Sequence, residues 1–344
     1  MSIARDTQKQ IQAAVEALRS GDLVAFPTET VYGLGADAGN PAAVRKIFEL
    51  KGRPATHPVI VHLRDASQLQ RWARQLPEEA KVLANKFWPG PLTLVLNRAP
   101  AVADVITGGQ DTVAVRIPSH PIARQLLEGF GGGIAAPSAN RYGHVSPTRA
   151  DHVRDEFGKS VKIVLDGGDC KVGLESTIVA CVGDQPRLLR PGAITLSQLR
   201  TVVPNIVEGA DPSAPRAPGS SPRHYSPHTP VALVPSRRLV DVMREFTDQR
   251  EKVAVLSLRP PSTANRYMTW INAGSRFEQY ARNLYSNLRT LDKVGAKVLL
   301  VEEVPAGEQW DAIRDRLKRA ASKDPVAGHE EALVAETAEE GDLP

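Results

Sequence analysis

Cysteine is nearly absent: two residues in 344, Cys170 and Cys181. Two thiols cannot build a disulfide framework or a four-cysteine zinc site. Both flank or lie in apolar, strand-like sequence, which reads as buried free thiols in a reducing, cytoplasmic setting. Long apolar runs are missing as well, since nothing approaches the ~18–20 residues of a membrane helix. The stretch up to Asp22 has no apolar h-region and no small-residue cleavage site. It reads as an amphipathic helix with Ile11, Val15 and Leu18 on one face and Gly21 as its stop. Membrane insertion and secretion are not expected. There is no GxxxxGK[ST] loop and no GxGxxG. Gly168 to Gly173 leads into Leu174-Glu175, and Gly131-Gly132-Gly133 precedes a strand where a dinucleotide fingerprint would follow one. The two commonest nucleotide-binding folds have no support. Among the eight histidines, His57 and His62 stand five apart with no Cys, Asp or Glu at zinc spacing, so no protein metal site is expected.

What is present is a globular composition, 42% hydrophobic and 24% charged, with 27 prolines. The length exceeds the usual single core and predicts two domains. The net charge of +4 conceals an asymmetry. From Gly328 to Pro344 the chain carries six acids and no Lys or Arg; the remainder holds 43 basic against 33 acidic residues, a net +10. A basic body suits anionic small molecules or RNA.

Residues 1–207 alternate short apolar strands (around 23–28, 58–63, 92–97, 112–118, 162–166, 176–182 and 186–190) with helices (7–20, 41–50, 66–86, 120–128 and 194–203). The order is too irregular for a strict βαβ series and predicts an α/β domain on a twisted mixed sheet. Residues 208–230, with six Pro, two Gly and four Ser, read as a linker. Beyond it, residues 231–325 run strand–helix three times, predicting a small Rossmann-like parallel-sheet domain. Residues 326–344 read as an acidic, disordered tail.

Chemistry gathers in turns. Phe26–Gly35 (FPTETVYGLG) packs Thr28, Glu29, Thr30 and Tyr32 beside two glycines; an ordinary turn with hydroxyl caps has the same composition. Lys51-Gly52-Arg53-Pro54 ends a helix, where cations answer the macrodipole or, stiffened by proline, clamp a phosphate. Ala135–Asn140 followed by Ser146-Pro147-Thr148 sets small residues and the donors Ser138 and Asn140 after a strand, as a turn or a ligand cradle. Arg116 sits within a strand, and Ser176-Thr177 and Arg190-Pro191-Gly192 repeat the theme of polar groups at strand ends. No nucleophile triad is apparent.

In order, FPTETVYGLG, KGRP with PVIVH, PGPLTLVL, TVAVRIP, APSAN…SPT, LESTIV, LLRPG and HYSP make the chain resemble the threonylcarbamoyl-adenylate synthases, the two-domain branch of the YrdC-like family. The resemblance runs over roughly residues 10–320. It implies that L-threonine, bicarbonate (or carbon dioxide) and ATP yield threonylcarbamoyl-AMP and pyrophosphate. A partner transferase then modifies the adenosine beside the anticodon of tRNAs reading ANN codons; the motifs do not decide whether tRNA touches this chain. The fold implied has a concave, positively charged cleft.

Carried over by motif, the resemblance implies a catalytic tetrad of Lys51, Arg53, Ser138 and Asn140. Thr30, His62, Arg116, Ala136 and Ser176 would surround threonine. Arg53, His57, Thr112, Ser138, Ser146, Arg190 and Tyr225 would hold ATP, whose magnesium arrives with it. Tyr225 would fold back with the linker as a lid. The chain departs from the family pattern at His57 (usually Asn), at Tyr142 (commonly Ser) and in the linker at Ser220–Pro222. Two rivals are carbamoyl transfer in hydrogenase maturation, whose extra zinc-finger and kinase-like domains have no counterpart here, and a non-enzymatic RNA-binding module. The latter calls for exposed aromatics among basic residues, and aromatics make up 5%.

Overall fold

The computed structural model describes residues 5–209, 211, 214–219, 224–262 and 264–321. The acidic tail and the variant linker residues 220–222 lie outside the described residues. The chain divides into two compact units, residues 1–142 with 146–220, and residues 143–145 with 221–344.

In the first unit, nine strands form one mixed sheet among the described residues. They are β1 (Val24–Phe26), β2 (Gly33–Asp37), β3 (Ile60–His62), β4 (Leu92–Asn97), β5 (Thr112–Arg116), β6 (Ile134–Ala135), β7 (Ile163–Val164), β8 (Thr177–Ala180) and β9 (Arg187–Arg190), in the order β7-β1-β2-β6-β3-β5-β4-β8-β9. β3 and β5 pair in parallel, as do β4 and β8, while β2–β6, β3–β6, β4–β5 and β8–β9 are antiparallel. The helices are α1 (Arg5–Arg19), α2 (Pro41–Lys51), α3 (Glu78–Phe87), α4 (Asp104–Thr107), α5 (Pro121–Phe130), α6 (Ala150–Phe157) and α7 (Leu196–Arg200).

Strand alternation sorts side chains onto two faces. Val61, Val113, Val115, Leu92, Leu94, Leu96 and Val179 point into the larger core with α2 and α3. On the opposite face, Val24, Phe26, Ile134 and Ala136 are covered by the apolar stripes of α1 and α5. The rest of that face carries a small cluster of Ile60, Val95, Ala114, Ile178 and Ala180, with Ala217 of the linker lying on it. Beside this cluster the face turns polar, and that is where the site lies.

The expected helix over 66–86 is two pieces. A 3₁₀ turn at Ala66–Arg71, capped by Asp65, ends at Trp72, and α3 begins after Pro77. Proline lacks the amide that a continuous helix would need there. The strand β2 was not anticipated. Its sequence GLGAD offers little strand propensity, yet Gly35 lies so close to Phe26 and Ile134 that a Cβ would stand 2.8 Å from either side chain. The close approach of Phe26 from β1 and Ile134 from β6, the strands on either side, selects that strand.

The second unit holds β10 (Val231–Val234), α8 (Leu239–Asp248), β11 (Val253–Ser257), β12 (Met268–Asn272), α9 (Phe277–Asp292), β13 (Val298–Glu302) and α10 (Asp311–Ala320). Its four-stranded sheet, β10-β13-β11-β12, is parallel throughout, with one more strand, β12, than the periodicity revealed. Glu302 at the end of β13 accepts from the Ser236 and Ser257 hydroxyls at 2.5 Å each and from Leu258 N–H at 2.8 Å, tying together three strand ends.

Candidate active site

Register places the polar residues. His62 and Arg116 are partners across β3–β5, and they share a face with Ile60 and Ala114 two residues earlier. Thr93 pairs with Ile178 and Ile178 with Arg190, so Thr93, Ser176 and Arg190 extend the same face across β4, β8 and β9. Thr112, at the start of β5, lies on it too.

Arg116 is the centre of the first cluster. Its Nη1 donates to Thr30 Oγ1 at 2.8 Å, Nη2 to Glu29 Oε1 at 2.7 Å and Nε to Gly90 O at 3.2 Å. Thr30 is fixed by a hydrogen bond shared with Thr28 Oγ1 at 2.8 Å. Burial pushes the Glu29 carboxyl up, but the charge and hydrogen bonds of Arg116, with the Ser119 N–H, hold it below the usual glutamate value. His62 is buried, edge-on to Phe26, and its Nδ1 has no hydrogen-bond partner. Burial, then the neighbouring Arg116 charge, pushes its pKa down to about 3. The ring is therefore neutral.

A second cluster joins Ser176 and Arg190. Arg190 Nη2 donates to Ser176 Oγ at 3.2 Å and, at 2.9 Å, to Ser176 O, while Nη1 donates to Pro218 O at 2.7 Å. Ser176 Oγ shares a hydrogen bond with Thr93 Oγ1 at 2.7 Å. Ser146 donates to Glu175 Oε1 at 2.6 Å, both side chains buried.

The third cluster unites Lys51, Ser138 and Asn140. Asn40 caps α2, Pro41 starts it, and Gly52 closes it in the left-handed region (φ +62°) with its N–H on Glu49 O and Phe48 O. That turn projects Lys51 inward, where Nζ donates to Ser138 O at 2.7 Å and to Asn140 O. Burial, and then Arg53, drive the Lys51 pKa well below the usual lysine value. Gly33 bridges Ser138, and Ala139 N–H donates to Tyr32 O at 2.8 Å, so the loop docks on the β1–β2 turn. Arg53 Nη2 donates to Pro58 O at 2.9 Å. Ala136 continues β6, its N–H on Ile60 O.

Thr30 and Arg116 thus meet, as do Ser176 and Arg190, and Lys51 with Ser138 and Asn140. Thr112 and His57 lie in the same unit. Tyr225 belongs to the second unit, where it is buried, stacked on Tyr285 at 5.7 Å and under the Arg316 guanidinium at 5.4 Å. Glu29 and Glu175 were given no site role by the residue-level reading, although each is a lone carboxylate inside an otherwise apolar or hydroxyl-rich motif.

The family model described as "Telomere recombination", Sua5/YciO/YrdC, matches residues 16–192, and one described as the threonylcarbamoyl-AMP synthase C-terminal domain matches residues 194–322. The chain belongs to the Sua5/YciO/YrdC family. Among its relatives in that family, the threonylcarbamoyl-AMP synthase of Pyrococcus abyssi is 42% identical over 91% of this chain and 94% of its own length. That of Bacillus subtilis is 40% identical over 91% and 93%. The crystal structure of P. abyssi Sua5 complexed with L-threonine superposes with a TM-score of 0.86 at 41% identity, covering 93% of this chain and 96% of that one. The expected architecture, a mixed-sheet domain and a separate parallel sheet, is the one found. Among the described residues no helix is long and apolar enough to cross a membrane.

Proposed function

We propose that this chain synthesises threonylcarbamoyl-AMP from L-threonine, bicarbonate (or carbon dioxide) and ATP, releasing pyrophosphate. The observation that carries the reading is that Arg116 and the neutral His62, whose Nδ1 has no hydrogen-bond partner, are register partners on one sheet face. Arg116 offers a guanidinium to an amino-acid carboxylate, and His62 a hydrogen-bonding nitrogen without added charge. Thr30, Ala136 and Ser176 would complete the threonine site.

The amine nitrogen attacks carbon dioxide and loses a proton to solvent, leaving a carbamate. A carbamate oxygen then attacks the α-phosphorus while the bond to pyrophosphate breaks. Such a displacement asks for alignment and charge neutralisation rather than a protein nucleophile. Arg53 and Arg190 would bind phosphate oxygens, with Thr112, Ser138, Ser146 and His57 positioning ATP. Lys51 would order Ser138 and Asn140 through their carbonyls. Among the described residues no group of three His, Cys, Asp or Glu could hold a metal, and magnesium would enter as the counter-ion of ATP. The product would pass, in the cytoplasm, to a transferase that modifies tRNAs reading ANN codons.

The test is pyrophosphate release by the purified chain with L-threonine and bicarbonate each supplied or omitted, and L-serine as a control. Release that needs both and prefers threonine is expected. Release indifferent to threonine would overturn the reading in favour of another acceptor, and none at all would put RNA binding first.

A further inference from the structure

His57 and Tyr142 stand at the tips of the two arms that bear Lys51–Arg53 and Ser138–Asn140. His57 closes a turn, its N–H donating to Pro54 O at 3.1 Å, and Arg53 braces the next residue at Pro58 O. The turn rests on Gly108, where φ is +62° and a Cβ would lie 2.2 Å from Thr56 O. It is therefore fixed from below. Tyr142 ends the other arm, with its N–H on Lys51 O at 2.8 Å. Lys51 thus holds that arm twice, by side chain at Ser138 and Asn140 and by backbone at Tyr142.

Between the arms the two rings meet edge to face, with centroids 5.6 Å apart and planes at 69°. The Tyr142 hydroxyl lies 3.5 Å from His57 Nδ1. Both side chains are half-buried. Burial, then the charges of Arg53 and Arg216, hold the His57 ring below its usual pKa. A T-shaped pair leaves both faces of one ring outside the contact. The arrangement is an uncharged aromatic corner beside Arg53, the cation assigned above to phosphate oxygens. A purine nucleoside triphosphate presents the complementary combination, a π-face on a polyanion.

We propose that Tyr142 is a positioning residue of the nucleotide site: it fixes the His57 ring, and the edge-to-face pair forms the aromatic wall, one ring's face with the other ring beside it, against which the purine of ATP lies. The proposal rests on the reading of this cleft as an ATP site. It makes base recognition depend on the ring pair, and leaves the phosphates to the cations.

The measurement is calorimetric binding of ATP and of inorganic tripolyphosphate to the full chain, wild type and variants, with threonine binding as the fold control. Tyr142→Ala should weaken ATP about tenfold or more while changing tripolyphosphate and threonine less than about twofold. Tyr142→Phe should stay within about twofold of wild type. His57→Ala combined with Tyr142→Ala should lose little beyond either alone, because one wall is removed in each. Should Tyr142→Ala not fold, Tyr142→Leu supplies the same comparison. Unchanged ATP affinity, equal losses for ATP and tripolyphosphate, or additive losses would each overturn the proposal. If the wild type binds ATP but releases no pyrophosphate with threonine, the synthase reading fails and the binding series still decides the wall. A wild type that binds no ATP overturns both.

Discussion

Arg116 Nη2 and Glu29 Oε1 are 2.7 Å apart, with the two side chains only 4% and 7% exposed. The other carboxylate oxygen of Glu29 accepts from the Ser119 N–H at 3.1 Å, and the guanidinium is also tied to Thr30 and Gly90. A buried pair of this kind does not add much net stability, but it orients the guanidinium and is costly to break on one side.

Glu29→Ala leaves the Arg116 charge buried without its partner and should destabilise the first unit by about 3–5 kcal/mol in urea unfolding. The pH dependence carries a sign. With the folded pKa held below the ordinary 4.5, the contribution is complete above that value and disappears as pH falls through the folded one. The gap between wild type and Glu29→Gln should shrink below pH 4.5; a constant gap would contradict the pairing.

Arg116→Ala should abolish threonine-dependent pyrophosphate release together with threonine binding. Calorimetry that finds threonine affinity unchanged would sink the assignment of Arg116 to the carboxylate.

His62 should contribute no step near pH 6.5 to the threonine affinity, because the folded ring protonates only near 3. Unfolded, it titrates at the ordinary 6.5. Between those values the unfolded chain takes up a proton that the folded chain refuses, so stability rises with pH across that window and is complete above it. His62→Gln should flatten that slope in unfolding measured from pH 4 to pH 7.

Lys51→Met removes the donor from Ser138 O and Asn140 O. Each stranded buried carbonyl costs about 1–3 kcal/mol, and pyrophosphate release should be lost. Lys51→Arg should not restore it, since a planar fork does not replace a compact ammonium between two carbonyls. Thermal unfolding and turnover measured on the same samples check both statements.

Glu302→Ala should loosen the second sheet, because it unties the ends of β10, β11 and β13. Hydrogen exchange should report faster amides in Val231–Val234, Val253–Ser257 and Val298–Glu302, and unchanged exchange would refute the tie.

Much of the sheet was legible. In TVAVR, Thr112, Ala114 and Arg116 alternate with Val113 and Val115, and in IVH, Ile60 and His62 flank Val61; a period of two already separates the core face from the polar one. The Lys51-Gly52-Arg53-Pro54 turn marked the end of α2. Less was legible where shape rather than propensity selects structure. The glycines of β2 earn their strand by close packing on Phe26 and Ile134, and Pro77 divides what periodicity joined.

The sequence by itself determined which residues share a face, because alternation and capping are local and need only neighbours in the chain. Only the tertiary structure decided what those faces meet. Glu29 finds Arg116 across 87 positions, Lys51 finds Ser138 across the same separation, and His57 meets Tyr142 across 85. No local pattern encodes such pairings. They also set the charge states, for the same burial that brings His62 beside Arg116 removes the water that would otherwise stabilise its protonated form.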